Sequence, residues 1–246
     1  MPPPPLFEAR LLHARRLSPN VRELSFERVD GSPMVFEPGQ WVNALLPHAL
    51  AGTGATKRSY SIASPPDGSA RFDIAVTHVQ GGPGSTWLHA IEPPAVLLFS
   101  GPQGFFTRPL EAASPSLMIG TGTGMTPMRS MMKAAIAKGS RTPMWLLLGV
   151  RHEQDLLYGD ELQALAREHP FVRFEPTLSQ PPGDWAGRRG YVQTHVRELW
   201  EALVATSDSK PHAYVCGLER MVGSVRDLLR KQMGLPREQV HAERYD

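Results

Sequence analysis

The spacing of the apolar residues changes once along the chain, close to Pro109. Before that point apolar and polar residues alternate, as in residues 21–26 and 72–77, and this alternation predicts half-buried β-strands. After it, short apolar runs are separated by segments with helical spacing. Strands that alternate with helices predict a parallel sheet covered on both faces. We therefore expect two units, residues 1–110 and residues 111–246.

The expected elements define the fold class. In the first unit, Gly and Pro separate strand candidates at residues 21–26, 41–46, 57–63, 72–77 and 96–100, with one short helix at residues 85–91. Short strands at this density suggest an antiparallel barrel or sandwich. In the second unit we expect strands at residues 116–119, 144–150, 171–177, 212–216 and 240–245, and helices at residues 125–137, 155–168, 192–205 and 219–233. The predicted class is β + α/β, an antiparallel β-barrel followed by a five-stranded parallel α/β unit.

Composition excludes several classes of function. Lys plus Arg is 26 and Asp plus Glu is 24, so the net charge of +2 argues against a nucleic-acid partner. The one cysteine, Cys216, cannot form an internal disulfide or hold an iron–sulfur cluster, and it favours a reducing cytoplasmic location. The longest apolar run, residues 144–150, is too short to span a membrane, and no apolar stretch of signal-peptide length opens the chain. The nine histidines are scattered, and no metal site is expected.

A glycine-rich run, GTGTGMTP, occupies residues 120–127 between an expected strand and an expected helix. Small residues allow a ligand close to the backbone, and the start of a helix attracts a phosphate through its free N–H groups and its dipole. Met125 stands where the third glycine of G-x-G-x-x-G would be, and no G-K-[ST] follows. The run predicts a nucleotide site of another kind, or a tight structural turn.

Further motifs follow one another in a recognisable order. RSYSIAS at residues 58–64 is similar to the flavin signature R-x-Y-[ST]-x-x-S, and GPGSTWL at residues 82–88 is similar to a second flavin segment. GPQGF at residues 101–105, the run at 120–127, GVRHEQDLLY at 149–158, YVCG at 214–217 and HAERYD at 241–246 complete the series. Together they resemble the ferredoxin–NADP reductase superfamily, and most of all its bacterial ferredoxin/flavodoxin–NADP reductase subclass.

The resemblance implies an FAD site in the barrel. Arg58 would bind the pyrophosphate, Tyr60 would stack on the isoalloxazine, and Ser61 would hydrogen-bond flavin N5. Ser85, expected to open the short helix, would bind the second phosphate region. Five further residues are assigned to cofactor binding: Ser59, Ile74, Val76, Gly84 and Thr86.

The same resemblance implies that the second unit binds NADP(H). The residues assigned to the nicotinamide end and the pyrophosphate are Gly120, Thr121, Gly122, Thr123 and Thr126. Cys216 and Glu243 would lie near nicotinamide C4, and Tyr245 would cover the flavin face that the nicotinamide must reach. The catalytic set is therefore Ser61, Cys216, Glu243 and Tyr245. The final residue, Asp246, departs from relatives that end in an aromatic.

Two arginines favour NADPH over NADH. Arg151 and Arg188 match cations that would bind the 2′-phosphate, whereas Gln180 replaces a third. Glu153 lies near Arg151 in the sequence and could take a ribose hydroxyl instead.

The expected function is an FAD-dependent reductase that passes hydride between NADPH and flavin, and single electrons to ferredoxin or flavodoxin. A monomer is expected. Three alternatives stay open: an NAD(P)H-dependent flavin or ferric reductase, the reductase component of an oxygenase, and a flavin-bearing subunit of a larger complex. Ser130 and Lys133 read S-x-x-K, but they lie inside an expected helix without the partner motifs of a hydrolase.

Overall fold

The structure, a computed structural model, describes residues 4–47 and 57–245. Its strands form two sheets, one antiparallel and one parallel, and each sheet has six strands among the residues described. Both expected architectures are present, and a barrel rather than a sandwich is formed. The boundary near residue 110 stays a prediction.

The antiparallel sheet closes into a barrel. Its strands are β1 (Leu6–Ser18), β2 (Val21–Arg28), β3 (Trp41–Leu45), β4 (Lys57–Ser61), β5 (Arg71–Thr77) and β6 (Val96–Gln103), in the order β4-β3-β6-β1-β2-β5. An antiparallel bridge between Ile62 and Ile74 connects the two ends of the sheet, next to a hydrogen bond from the Ala63 N–H to the Asp73 carbonyl (2.8 Å). Helix α1 (Pro83–Ala90) follows β5.

Four phenylalanine rings fill the barrel because alternate residues of each strand point inward. The ring centroids of neighbouring members are 5.0–5.9 Å apart, a separation typical of stacked and edge-on aromatic pairs, and the four are Phe7, Phe26, Phe72 and Phe99.

The second sheet is entirely parallel. Its strands are β7 (Ser116–Thr121), β8 (Met144–Val150), β9 (Val172–Leu178), β10 (Arg188–Arg189), β11 (His212–Leu218) and β12 (Val240–Tyr245), in the order β10-β9-β8-β7-β11-β12. The helices are α2 (Thr126–Ala137), α3 (Gly159–Glu168), α4 (Val196–Val204) and α5 (Glu219–Asp227), the last continuing as a π-helical turn through Gln232. The strand order reverses direction at β7, and this is where open α/β sheets bind ligands.

Helices cover both faces of the parallel sheet. Met118 and Leu146 belong to the core cluster on one face, whereas Leu117 and Leu147 belong to the cluster on the other. The methionines of α2 pack in the first cluster, as expected from their spacing, and that cluster also contains Val21, Ala75 and Phe106 from the barrel side. One hydrophobic core therefore continues from the parallel sheet to the outer surface of the barrel.

Some expectations need correction. β1 was not among the strand candidates, and β10 raises the parallel sheet from five strands to six. The helix expected from residue 155 begins at Gly159 after a 3₁₀ turn, and α1 begins at Pro83 rather than at Ser85. Within the described ranges, no helix is long and apolar enough to cross a membrane.

Candidate active site

The glycine-rich run connects β7 to α2 at the reversal point of the parallel sheet. Gly122 adopts a left-handed conformation (φ 52°), and a 3₁₀ turn then leads into the helix, whose first residue has no side-chain cap. Gly124 lies directly against β11, since a Cβ at this position would be 2.2 Å from the carbonyl oxygen of Cys216. The run therefore brings the start of α2 to the end of β11, as a phosphate-binding turn requires.

The threonines of the run have different roles. The Thr126 hydroxyl donates to the Thr123 carbonyl (2.8 Å) and stabilises the turn itself. The Thr123 hydroxyl lies 3.4 Å from that of Thr77 in the barrel. The Thr121 hydroxyl is buried and has no hydrogen-bond partner among the described residues, and it faces Gly217, where a Cβ would be only 2.4 Å away. An unpaired buried donor marks a place where a ligand can be bound.

The four expected catalytic residues converge although two of them are separated from Ser61 by more than 180 residues. The Ser61 hydroxyl, at the end of β4, is 2.5 Å from the Tyr245 hydroxyl and 3.5 Å from Glu243 Oε1. Cys216 pairs in register with Glu243, and its thiol contacts the Tyr245 hydroxyl. The parallel pairing of β11 with β12 therefore carries three of these residues to the end of the barrel strand that holds the fourth.

Burial sets the protonation of this cluster. It raises the pKa of the Glu243 carboxyl to about 7, so that this group can gain or lose a proton near neutrality. Burial raises the pKa of the Cys216 thiol well above its usual value, and the Glu243 carboxylate adds to the shift. Burial likewise raises the pKa of Tyr245, with further contributions from Cys216 and Glu243. The thiol and the phenol are therefore neutral at pH 7, and Cys216 is not a thiolate nucleophile.

The flavin signature places its residues along β4 and its end. The Arg58 side chain crosses the first turn of α1, where a Cβ at Gly84 would be 3.1 Å from Arg58 Cγ. Tyr60 packs against the barrel core, and burial raises the pKa of its phenol to about 12. The Ser59 hydroxyl donates to Asn43 Oδ1 (2.9 Å), so this side chain already has a partner within the barrel.

The second flavin segment differs from expectation at Ser85. This residue does not open α1: its hydroxyl accepts from the Val79 N–H (3.0 Å) and lies 3.1 Å from the Gly82 carbonyl, fixing the loop before the helix. Thr86 is exposed, 3.5 Å from His78 Nε2. The Ser85 contact to the second phosphate region stays a prediction, and it would have to share a hydroxyl that the loop already uses.

Ile74 and Val76 were assigned to cofactor binding, but their side chains are fully buried in the barrel. The Val76 carbonyl also accepts from His89 Nε2 (2.8 Å). These two residues could therefore contact a cofactor only through main-chain atoms.

The two arginines expected at the 2′-phosphate have unlike surroundings. Arg151 is exposed at the end of β8, and its carbonyl accepts from the Gln180 N–H (2.9 Å). Arg188 is held by Glu175 (2.8 Å) and by both oxygens of Glu198 (2.8 Å each), and these carboxylates raise its pKa. Two carboxylates already neutralise Arg188, which makes it a poor phosphate ligand.

Two residues that follow Arg188, Arg189 and Tyr191, were not assigned to the site from the sequence. Arg189 is exposed and donates to backbone carbonyls, including that of Trp185 (2.7 Å), with no carboxylate partner among the described residues. Tyr191 is 67% exposed and follows Gly190, whose φ is 97°. The sequence does contain a hint. Adjacent residues of a strand face opposite sides, so only one of two neighbouring arginines can face a bound nucleotide.

A groove of about 670 Å³ opens next to this cluster. Glu243 and His241 from β12 form one side, and the end of β6 with its following loop forms the other. At its rim Phe105 is 88% exposed, an unusual position for so large an apolar side chain. The groove is thus lined in part by Glu243, whose carboxyl group lies 3.5 Å from the Ser61 hydroxyl.

Comparison with known proteins agrees with this arrangement. Residues 8–107 match the family model of an oxidoreductase FAD-binding domain, and residues 118–227 match that of an oxidoreductase NAD-binding domain. The chain is 56% identical over 241 residues to ferredoxin–NADP reductase B of Sorangium cellulosum (strain So ce56), covering 98% of each protein. It is 27% identical to the phenol hydroxylase P5 protein of Acinetobacter pittii (strain PHEA-2), covering 97% of this chain and 65% of that longer protein.

Among solved structures, a ferredoxin NADP+ reductase from Neisseria gonorrhoeae with bound FAD and NADP superposes with a TM-score of 0.80 at 21% identity, over 97% of this chain and 98% of the other. That likeness shows the shared fold. The identity to the Sorangium protein over nearly the full length of both chains shows the family, and the chain belongs to the ferredoxin–NADP reductase family of FAD- and NAD(P)-binding oxidoreductases.

Proposed function

We propose that this protein transfers hydride from NADPH to FAD and passes the electrons singly to a ferredoxin or a flavodoxin. The observation that carries the proposal is the convergence of Ser61, Cys216, Glu243 and Tyr245 beside the end of the glycine-rich run. The buried thiol of Cys216, the sole cysteine of the sequence, supports a reducing, cytoplasmic location.

The residues present fit FAD. Arg58 and the start of α1 meet at Gly84, where an added Cβ would be 3.1 Å from Arg58 Cγ, and an arginine beside a helix start suits a pyrophosphate. Tyr60 and Ser61 follow Arg58 on β4 and would hold the isoalloxazine end. Bound FAD supplies the chemistry that side chains lack, since it accepts a hydride and releases electrons one at a time.

The residues around the ring orient the reactants and hold a proton. Ser61 keeps its hydroxyl between Tyr245 and Glu243, and it can exchange a proton with either. Glu243, with its pKa raised to about 7 by burial, could hold or release a proton beside bound FAD, and this residue also lines the groove that opens to solvent. Tyr245 covers the same space, so it has to move before a nicotinamide can approach.

For the nucleotide, we propose that Arg151 and Arg189 bind the 2′-phosphate and that Tyr191 stacks on the adenine. Arg151 directly follows β8, and β10 pairs with the final residues of β9, so the two arginines belong to the same edge of the sheet. Neither is paired with a carboxylate within the described part of the chain, in contrast to Arg188. Cations that no carboxylate neutralises, beside an exposed aromatic ring, suit a phosphorylated adenosine.

For the acceptor, we propose that the protein partner docks over the groove. The rim carries the exposed Phe105, an apolar anchor of the kind found at the centre of protein interfaces. Glu243 lines one side of the groove, so a partner bound here lies close to the Ser61 end of the flavin site. Ferredoxin is the partner in the name of the Sorangium relative, and flavodoxin is the alternative from the bacterial resemblance.

An oxygenase reductase is the second candidate, because several relatives at 27–29% identity are named as electron-transfer or reductase components of oxygenases. The chain covers 65% or less of the length of each of these, so it corresponds to only part of them.

An anaerobic titration separates the candidates. The yellow protein is titrated with NADPH and with NADH while the flavin absorbance is recorded, and the reduced protein is then mixed with ferredoxin or with flavodoxin. The proposal expects bleaching at far lower NADPH than NADH, followed by reduction of one of the two partners. Preference for NADH would favour the oxygenase role, and a protein that cannot be loaded with FAD would refute the proposal. Phe105→Ser should slow the partner reaction and leave the NADPH reaction unchanged.

A further inference from the structure

Two adjacent side chains of α2 reach across to the flavin signature. Arg129 Nη1 donates to the Ala63 carbonyl (2.7 Å), and the Ser130 hydroxyl donates to the Ser64 carbonyl (2.7 Å). Both side chains are buried, and the two carbonyls end the segment that begins at Arg58. The first turns of α2 are therefore hydrogen-bonded directly to the segment that follows Ser61.

Arg129 has two more partners, both on the nucleotide side. Its guanidinium binds Glu161 through both carboxylate oxygens (2.8 Å from Nη2 to Oε2 and 3.0 Å from Nε to Oε1). It also lies 4.3 Å from the centre of the Tyr158 ring. The N–H donors in the guanidinium plane bind Ala63 and Glu161, and the flat face of the same group lies over the Tyr158 ring, so one arginine holds all three neighbours.

Tyr158 supports the same junction from the other side. It is the one residue other than glycine with a positive φ (55°) in the described ranges, and it is buried. Burial, and then the nearby carboxylate of Glu23 from the barrel, raise the pKa of its phenol. A left-handed tyrosine costs free energy and persists where its surroundings fix it. The loop after Arg151 is therefore held between Arg129 and the barrel.

We propose that Arg129 and Ser130 are positioning residues that set the distance between the flavin segment and the nucleotide loop. Hydride transfer needs the two reacting carbon and nitrogen atoms within about 3–3.5 Å, and a misplacement of about 1 Å can cost about 100-fold in rate. Arg129 lies three residues after the start of α2, close to the glycine-rich run, and Ala63 lies two residues after Ser61. The hydrogen bond from Arg129 to the Ala63 carbonyl therefore connects the two sites directly. This inference rests on the proposed hydride step.

Four variants separate positioning from simple stabilisation. Arg129→Met removes the bond to Ala63 and leaves Glu161 paired with Lys133 (2.9 Å), so no buried carboxylate is stranded. Arg129→Lys keeps the positive charge but loses the planar set of N–H donors, and Ser130→Ala removes only the hydrogen bond to the Ser64 carbonyl. Lys133→Met is the matched control, because it also removes a cation from Glu161, and among the described residues the Lys133 side chain has no ion pair with the barrel.

The measurements are made on the FAD-loaded protein. The rate constant of flavin bleaching at saturating NADPH is recorded in single turnovers, together with the Kd of NADP+ and the change it causes in the visible flavin spectrum. Amide hydrogen exchange at residues 62–65 gives a readout that is independent of turnover.

We expect Arg129→Met to lower the bleaching rate constant about 10- to 100-fold, with a Kd for NADP+ near the wild-type value, a weaker spectral change and faster exchange at residues 62–65. Arg129→Lys should recover part of the rate, Ser130→Ala should lose less than Arg129→Met, and Lys133→Met should match the wild type. A wild-type rate constant in Arg129→Met, or an equal loss in Lys133→Met, would overturn the positioning role. A wild-type protein that NADPH does not bleach would refute the proposed function instead.

Discussion

Gly124→Ala tests how closely the start of α2 has to approach β11. The Cβ of an alanine at this position would lie 2.2 Å from the Cys216 carbonyl oxygen, 2.6 Å from its carbon and 2.8 Å from Gly217 Cα. All three are backbone atoms of β11, which is paired with a strand on each side, so no side chain can rotate away to make room.

The size of the effect follows from this geometry. Cβ contacts shorter than 3.0 Å essentially do not occur, so the helix start and β11 have to separate by about 0.8 Å. Overpacking of this kind costs about 1–3 kcal/mol of stability, and about 2–4 °C in Tm for each kcal/mol in a chain of this size. The displaced groups are Cys216 and the turn that holds Thr121 and Thr123. A shift approaching 1 Å at the reacting atoms should lower the rate of flavin bleaching by NADPH up to about 100-fold.

The assay compares thermal unfolding and single-turnover bleaching in Gly124→Ala and in Gly223→Ala. Gly223 lies in α5, where an added Cβ meets nothing within 4 Å, so it receives the same substitution without a clash. We expect the Gly223 variant to be as stable as the wild type or slightly more so, since alanine favours a helix over glycine. Wild-type stability and rate in Gly124→Ala would show that the close approach is unnecessary.

Three further predictions concern the site itself. Burial raises the Glu243 pKa from 4.5 to about 7, so the folded state binds this proton more tightly than the unfolded state. The free energy of unfolding should therefore fall by up to about 3 kcal/mol as the pH rises from 4.5 through 7. In urea unfolding, Glu243→Gln should not show this pH-dependent loss. Arg151→Ala and Arg189→Ala should each raise the KM for NADPH, by about tenfold for a lost charged contact of about 1.4 kcal/mol, and leave the KM for NADH unchanged; equal effects on both would exclude a 2′-phosphate contact. Tyr245→Ser should raise the ratio of NADH to NADPH activity, because it removes the ring that covers the nicotinamide position; an unchanged ratio would argue against that cover.

The spacing of apolar residues was sufficient to predict the inner strands of both sheets, because buried strands and amphipathic helices each require a regular spacing of apolar residues. It failed for β1, where exposed arginines and a histidine interrupt the alternation in the second half of a 13-residue strand that also carries a bulge. It failed for β10 because two residues contain no period at all. The wrong start of α1 has a similar cause, since Ser85 resembles an N-cap but Pro83 already supplies the first helical residue.

The choice between Arg188 and Arg189 shows a different limit. A motif gives the position of a residue along the chain, whereas the direction of its side chain depends on which face of the strand it occupies. Glu175 and Glu198 are 13 and 10 residues away from Arg188, and nothing local indicates that both bind it. The same holds for Arg129, which follows the glycine-rich run without matching any motif and is explained only by the carbonyl it meets across the junction.

The catalytic cluster depends on both units at once, which is why each of its residues is unremarkable alone. Ser61 is an ordinary serine at the end of a barrel strand, and Cys216 an ordinary small residue in a buried strand. β12 is added to the edge of the parallel sheet in register with β11, and this addition carries Glu243 and Tyr245 past the sheet to the barrel. A contact of 2.5 Å between residues 184 positions apart then requires the barrel, the parallel sheet and their junction to be correct together. The junction residues Arg129 and Ser130 are therefore under the same geometric constraint as the cluster, and mutating them tests whether the active site is a property of the interface between the two units.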